Sequence, residues 1–153
     1  MATESPNFGL LLAPVLGKVE AQSRPRFLAL LERAAADRYR AWAEELPEHA
    51  NLLLACAGRE DEIADRIEAS FPIGVAELES LRSLLPQARD LYYAAFEGIS
   101  VLDQIRMQAD AELQGANAWR SVAKGISDDA VLAQLTRCSE LEEFSSSEVR
   151  RIL

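Results

Sequence analysis

The sequence predicts an all-α protein, an antiparallel bundle of four long helices with a long crossover between helices two and three. Two observations predict this fold. Apolar residues recur at steps of three and four along four long stretches, which places them on one side of each helix. Prolines and glycines fall between those stretches, and no segment shows the period-two alternation of a half-buried strand.

The first two helices form a predicted hairpin. Pro25 is typical of a helix start, and helix one is expected over about residues 25–45. Pro47 ends that helix, and helix two follows at once over about residues 49–70. Because the connection is so short, the second helix must fold back antiparallel to the first.

The connection from residue 72 to about residue 97 contains a helix of its own. Residues 75–85 are amphipathic, and Pro86 is expected to end this helix. A connection of this length is unusual between neighbouring antiparallel helices. It suits a crossover from one end of a bundle to the other.

The last two helices form a second hairpin. Helix three is expected to begin within residues 86–98 and to end at a Gly125 cap. Helix four is expected over about residues 128–152, with Ser127 or Asp128 as its N-cap.

The 153 residues suit one domain with a genuine core. We divide the chain into an N-terminal extension, residues 1–24, and the bundle, residues 25–153. The apolar segment 8–17 (FGLLLAPVLG) is too short to span a membrane, and Glu4 rather than a basic region precedes it, so it makes a poor signal peptide. A homodimer that buries residues 8–16 is one expectation for this segment.

Composition narrows the partners. The formal net charge of −9 and the pI of about 4.7 argue against nucleic acid and against anionic membrane surfaces. Cys56 and Cys138 lie on apolar helix faces and have no CxxC spacing, so we expect buried free thiols and a cytoplasmic location. The single histidine, His49, argues against a histidine-based zinc site or catalytic triad.

Each apolar stripe of the first hairpin is interrupted by one carboxylate. Glu32 interrupts the stripe of helix one, and Glu60 that of helix two. The apolar members are Leu28, Ala35, Tyr39, Trp42 and Leu46 in helix one, and Leu53, Cys56, Ile63, Ile67 and Phe71 in helix two. A buried carboxylate must be paired, protonated or bound to a cation, because burying it bare costs several kcal/mol.

The second hairpin repeats the spacing of the first. An aromatic residue follows a glutamate at an offset of 7 and an alanine at 11, as Glu32, Tyr39 and Ala43 in helix one and as Glu112, Trp119 and Ala123 in helix three. A cysteine precedes a glutamate by 4, as Cys56 and Glu60 in helix two and as Cys138 and Glu142 in helix four. One inward glutamate per helix would bring four carboxylates together near the middle of one bundle.

This pattern resembles the ferritin-like superfamily, most closely its rubrerythrin type, over about residues 27–152. In that family, helices one and three each give a glutamate, and helices two and four each give a Glu-x-x-His pair, to a di-iron or di-manganese centre. Carried over by position, the metal ligands are Glu32, Glu60, Glu112 and Glu142.

The sequence departs from the family pattern at both histidines. The third residue after Glu60 is Ile63, and the third after Glu142 is Ser145. A second register is open in helix four, with Ser139 at the glutamate position and Glu142 at the histidine position. The resemblance therefore implies a divergent, ferritin-like protein with a carboxylate-only or vestigial site for iron or manganese. An all-oxygen ligand set favours hard ions such as Mg²⁺, Mn²⁺ or Ca²⁺.

Two other functions stay open. One is a metal-free helical bundle with a structural or protein-interaction role, in which the glutamates are protonated or bound to Tyr39 or to a flanking arginine (Arg59, Arg106 or Arg120). The other is a di-iron oxidoreductase or hydroxylase, for which no catalytic residue can be assigned. In any of the three, Tyr39 could hydrogen-bond a site carboxylate, and Trp119 could donate its indole N–H to another.

Overall fold

The computed structural model describes residues 4–153, and this part of the chain is all-helical, as predicted. It contains six α-helices rather than four: α1 Phe8–Leu16, α2 Arg24–Glu45, α3 Ala50–Ser70, α4 Val75–Ala94, α5 Val101–Ala123 and α6 Asp129–Arg150. Short 3₁₀ turns, Ala21–Ser23 and Pro47–His49, precede α2 and α3. None of the helices in this region combines the length and the apolar character needed to cross a membrane.

The four longest helices, α2, α3, α5 and α6, lie where the four bundle helices were predicted. Helix α2 packs along α3, α5 packs along α6, and α3 packs against α6. Helices α2 and α5 touch at only a few positions. Helix α1 packs against α4 and α5, and α4 packs against α2, so α1 and α4 cover the side where α2 and α5 face each other.

The ends of the second hairpin follow local sequence chemistry. Asp128, one of the two predicted caps, accepts hydrogen bonds from the backbone N–H groups of Ala130 and Val131. Helix α5 ends at Ala123, Lys124 is its C-cap, and the predicted cap Gly125 is the next residue. These boundaries lie within a residue or two of the predicted ones.

The prediction that Pro86 ends the crossover helix is wrong. Helix α4 runs through Pro86 to Ala94. The proline is exposed, so water can reach the carbonyl that loses its amide partner. The apolar stripe continues beyond it, and burial of that stripe favours the unbroken helix. Its buried members are Leu81, Ala88 and Tyr92.

The expected start of helix three, within residues 86–98, is also wrong. Helix α5 begins at Val101, because α4 occupies the chain as far as Ala94. Gly98 has a φ of 70°, a backbone conformation that residues with a side chain rarely adopt. The chain turns at this glycine between the two helices.

The apolar segment 8–16 forms α1, and its inner face is covered by the same chain. Phe8, Leu12 and Val15 are buried, whereas Leu10 is 74% exposed. The homodimer therefore stays a prediction, and a dimer contact at α1 would involve the outer face that carries Leu10.

Candidate metal centre

The four predicted site glutamates lie in one layer between two apolar core clusters. On each of α2, α3, α5 and α6 the site glutamate stands between a residue of one cluster and a residue of the other. The sets are Ala36, Glu32 and Ala29 on α2; Cys56, Glu60 and Ile63 on α3; Ala109, Glu112 and Trp119 on α5; and Val149, Glu142 and Leu141 on α6. The polar layer thus crosses the middle of the molecule.

Three of these carboxylates converge. Glu32, Glu60 and Glu142 each offer an oxygen, and these oxygens all lie within 4.8 Å of one another. Glu112 adjoins this group, and its negative charge acts on Glu32, Glu60 and Glu142. Glu60, Glu112 and Glu142 are at most 2% exposed, whereas Glu32 is partly open.

Burial and mutual repulsion raise the pKa values of the converging carboxyls. Burial, together with the charge of Glu112, raises the pKa of Glu32 from 4.5 to about 7. Burial and then the charges of Glu112 and Glu32 hold the pKa of Glu60 well above its ordinary value. The pKa of Glu142 is raised well above 4.5 by burial and then by the other three glutamates. Without a cation, the layer favours protons at neutral pH.

Two glutamates are oriented by buried donors. The Tyr39 hydroxyl donates to Glu112 Oε1 at 2.6 Å, and the Gln108 amide donates to the same oxygen at 2.7 Å. The Trp119 indole N–H donates to Glu142 Oε1 at 3.1 Å. Both hydrogen bonds that the sequence left open, from Tyr39 and from Trp119 to site carboxylates, are present.

Gln108 was not predicted as part of the site, although its position four residues before Glu112 places it on the same helix face. Its own amide oxygen accepts a hydrogen bond from the Tyr92 hydroxyl. Tyr92 thereby fixes the amide so that its N–H₂ points towards Glu112. A chain of donors from α4 through α5 thus reaches the carboxylate layer.

Two carboxylate oxygens in this layer have no partner. Glu60 Oε1 and Glu112 Oε2 are buried and accept no hydrogen bond. Within residues 4–153, no lysine or arginine forms an ion pair with any of the four glutamates, which are Glu32, Glu60, Glu112 and Glu142. An unpaired buried acceptor costs about 1–3 kcal/mol, and a charged one costs more.

The flanking arginines considered as partners bind elsewhere. Arg59 donates to Ser145 Oγ at 2.8 Å and contacts Cys56 Sγ. Arg106 pairs with Asp103, and Arg120 pairs with Glu143. Pairing of the inner glutamates with Arg59, Arg106 or Arg120 is therefore wrong, because all three guanidinium groups bind other partners.

The two histidine positions of the family pattern contribute no ligand atom. Ile63 is fully buried in an apolar cluster, and Ser145 is held by Arg59. Ser139 donates to backbone carbonyls of α5 and α6 and does not join the carboxylates. His49 lies at the start of α3, roughly 16 Å along the helix from Glu60. The candidate donor set is therefore all oxygen.

The cysteines are not candidates for ligands. Cys56 and Cys138 are free and buried, as predicted. Burial raises the pKa of Cys56 to about 11 and that of Cys138 to about 12. Both side chains stay protonated near neutral pH, and metal ions bind thiolates.

Gly115 makes room for the carboxylate of Glu142. A Cβ on residue 115 would lie 2.5 Å from Glu142 Oε1 and 2.8 Å from Glu142 Cδ, closer than real Cβ contacts. The sequence signal was a glycine in the interior of a long predicted helix, where it costs about 1 kcal/mol relative to alanine. We did not predict its role, since only the packing of α5 on α6 reveals the neighbour.

A cavity of about 460 Å³ reaches the carboxylate layer from outside. It is bounded by α1, α2 and α5, and all four glutamates contribute to its lining. Its other walls are mainly apolar. Of the four, Glu32 is the most exposed.

No protein-family model matches the sequence, and neither a curated protein nor a solved structure matches the chain. The class of protein is therefore defined by its own geometry: an all-helical chain with a buried carboxylate cluster beneath a cavity.

Proposed function

We propose that this chain is a divergent ferritin-like protein that binds divalent metal ions at Glu32, Glu60, Glu112 and Glu142. Helices α2, α3, α5 and α6 form the four-helix bundle in this proposal, and α4 is the crossover. The antiparallel pairs α2–α3 and α5–α6 and the contact between α3 and α6 support it. So does the presence of one inward glutamate on each of these helices.

The observation that carries the proposal is the convergence of carboxylates without a countercharge. Oxygens of Glu32, Glu60 and Glu142 lie within 4.8 Å of one another, and oxygens of Glu60 and Glu112 have no partner. A buried charge without compensation is destabilising by several kcal/mol. Two divalent ions would neutralise four carboxylates, because four charges of −1 balance two of +2.

The chemistry of the donor set selects the kind of ion. Carboxylate oxygens favour hard cations such as Mn²⁺, Mg²⁺ and Ca²⁺. Imidazole ligands tune redox iron centres, and the two positions where the family has them hold Ile63 and Ser145. We therefore propose metal binding, and we assign no oxidoreductase or hydroxylase activity. When bound, such an ion supplies Lewis acidity at the base of the cavity.

A second function is favoured by the raised pKa values. Glu32, Glu60 and Glu142 have pKa values raised by burial, so protons could replace the metal in a bundle with a purely structural role. In such a vestigial site the carboxyl groups would be neutral and would need no cation.

Thermal unfolding separates the two functions. The protein is stripped with a chelator and titrated with Mn²⁺ or Fe²⁺. A ligand that binds only the folded state adds about 2.7 kcal/mol at a concentration 100 times its Kd, so the melting temperature should rise steadily. The anomalous scattering of a crystal soaked in Mn²⁺ would locate the ion among the four carboxylates.

Two variants make the experiment specific. Glu60→Gln replaces one proposed ligand by an uncharged group of the same shape and should abolish the metal-dependent rise of the melting temperature. Glu44→Gln changes an exposed glutamate of α2 and should keep the shift. Identical melting of the unmodified protein with and without each metal would favour the structural role.

A further inference from the structure

The cavity above the carboxylates has the size and the walls of a small-molecule site. Its volume of about 460 Å³ lies within the range of roughly 300–1,000 Å³ found for ligand pockets. Leu12 and Leu16 of α1, Leu28 and Leu31 of α2 and Trp119 of α5 form apolar walls. The four glutamates form its floor.

The charges that line the cavity restrict what it can hold. Among the described residues that form its lining, none is lysine, arginine or histidine. An anionic ligand would therefore meet no cationic side chain. With two divalent ions bound, the floor would be neutral, and an anion would add an uncompensated charge. A cationic ligand would compete with those ions for the same carboxylates.

We propose that this cavity binds an uncharged organic molecule with an apolar body, held against the metal-bearing floor. The inference rests on the proposed function, because the metal ions at the four glutamates would form the floor against which the molecule is held. Burial of apolar surface stabilises such a complex by about 25 cal/mol for each Å² removed from water.

Helix α1 gives this site a wall that the four long helices do not supply. The backbone N–H of Phe8 donates to Gln114 Oε1 at 2.8 Å, and the Gln114 amide donates to the carbonyl of Pro6 at 3.0 Å. These bonds fix the start of α1 on α5. Leu12 and Leu16 thereby become specificity-determining residues, since they set the width of the cavity opposite α2.

The test uses three probes of one length and different charge: hexan-1-ol, hexanoate and hexylammonium. Each is titrated by calorimetry into the full chain, once loaded with Mn²⁺ and once stripped of metal. We expect hexan-1-ol to bind the loaded protein with a negative heat-capacity change, the mark of apolar burial. We expect no binding of hexanoate.

Cavity-filling variants locate the binding. Ala35→Leu and Ala118→Leu each add volume to a lining position, one on α2 and one on α5, and each should lose hexan-1-ol binding. Ala41→Leu adds the same volume at an exposed position of α2 and should keep it. Thermal unfolding and Mn²⁺ binding of every variant are measured in parallel, so that a loss caused by misfolding is recognised.

The outcomes separate the two proposals. If Mn²⁺ binds but hexan-1-ol does not, the cavity proposal is overturned and the metal site stands. If Mn²⁺ fails to bind and hexylammonium binds the stripped protein, the metal proposal fails and the uncharged occupant is overturned with it. Binding of hexan-1-ol that both filling variants retain would place it elsewhere and also overturn the inference.

Discussion

Gly115 of α5 lies directly against the carboxylate of Glu142 on α6. An added Cβ would come within 2.5 Å of one carboxylate oxygen and within 3.0 Å of the other. The glycine therefore allows α5 and α6 to approach while the Glu142 carboxylate points into the shared layer. Trp119, one turn further along α5, donates to the same carboxylate and orients it.

The first prediction concerns this contact. Gly115→Ala should displace the Glu142 carboxylate and weaken Mn²⁺ binding by roughly ten- to hundredfold, the range for loss of a group that orients a metal ligand. The measurement is the Mn²⁺ affinity from calorimetry.

Gly58 provides the matched control for that change. It lies in α3, and a Cβ there would meet no atom within 4 Å. Gly58→Ala should leave the Mn²⁺ affinity unchanged and raise the free energy of unfolding by up to about 1 kcal/mol, through helix propensity alone. Equal Mn²⁺ affinities in the two variants would contradict the role given to Gly115.

The second prediction is the pH dependence of the metal-free protein. The pKa of Glu32 is about 7 in the folded state and 4.5 for the ordinary group, so the folded state holds the extra proton between these values. The stability that this proton brings is complete below pH 4.5 and is lost as the pH rises through about 7. The free energy of unfolding should therefore fall across this interval.

Urea unfolding in chelator at several pH values measures this slope. Glu60 and Glu142, whose pKa values are also raised, should continue the fall at higher pH. Asp103 and Asp110 have pKa values lowered from 3.8, so their effect lies below the interval. Glu32→Gln should flatten the slope. Stability that increases from pH 4.5 to 7 would refute the prediction.

In the unmodified protein, Mn²⁺ affinity should rise with pH, because the ion displaces these protons.

The third prediction concerns the hydrogen bond from Tyr39 to Glu112. Its length of 2.6 Å and its burial are those of a strong bond to a carboxylate. Tyr39→Phe should lower the free energy of unfolding by about 1.5–3 kcal/mol. A double-mutant cycle with Glu112→Gln isolates the coupling between the two side chains.

Tyr93→Phe is the control for this cycle. The Tyr93 hydroxyl donates to the carbonyl of Ala34 at 3.2 Å and has no contact with Glu112. Its coupling to Glu112→Gln should be near zero. A coupling between Tyr39 and Glu112 below about 0.5 kcal/mol would mean that the bond does not hold the carboxylate.

The inward position of the four glutamates could be predicted, because Glu32 and Glu60 each interrupt an apolar stripe of helical period and Glu112 and Glu142 repeat their spacing. Spacing along one helix does not reveal which partner a side chain meets. Tyr39 and Trp119 occupy equivalent places in the repeat, yet Tyr39 donates to Glu112 of the other hairpin and Trp119 donates to Glu142 of its own. That difference arises from the packing of helices against one another.

The cavity could not be predicted from the sequence, for the same reason. Residues 8–16 are apolar, and periodicity alone cannot say whether their partner is a second copy or the chain itself. In the structure, Leu12 lies between the cavity and the core formed with α4. The walls of the cavity come from helices that are far apart in the sequence, so no residue pattern within a single helix indicates the cavity.

The last prediction concerns Pro86, where a strong local rule is overridden by packing. Proline in a helix interior is about 3 kcal/mol less favourable than alanine, because it removes a hydrogen bond and clashes with the preceding turn. Helix α4 nevertheless continues through it, held by the burial of Leu81 and Ala88 on either side. Pro86→Ala should therefore raise the free energy of unfolding, by up to about 3 kcal/mol in denaturant titrations.

Pro25→Ala is the control. Pro25 lies in the first turn of α2, where proline suits the helix, so its replacement should not raise the free energy of unfolding. No gain from Pro86→Ala would mean that α4 bends at residue 86 in solution without cost, and that its two halves are held independently by α1 and α2.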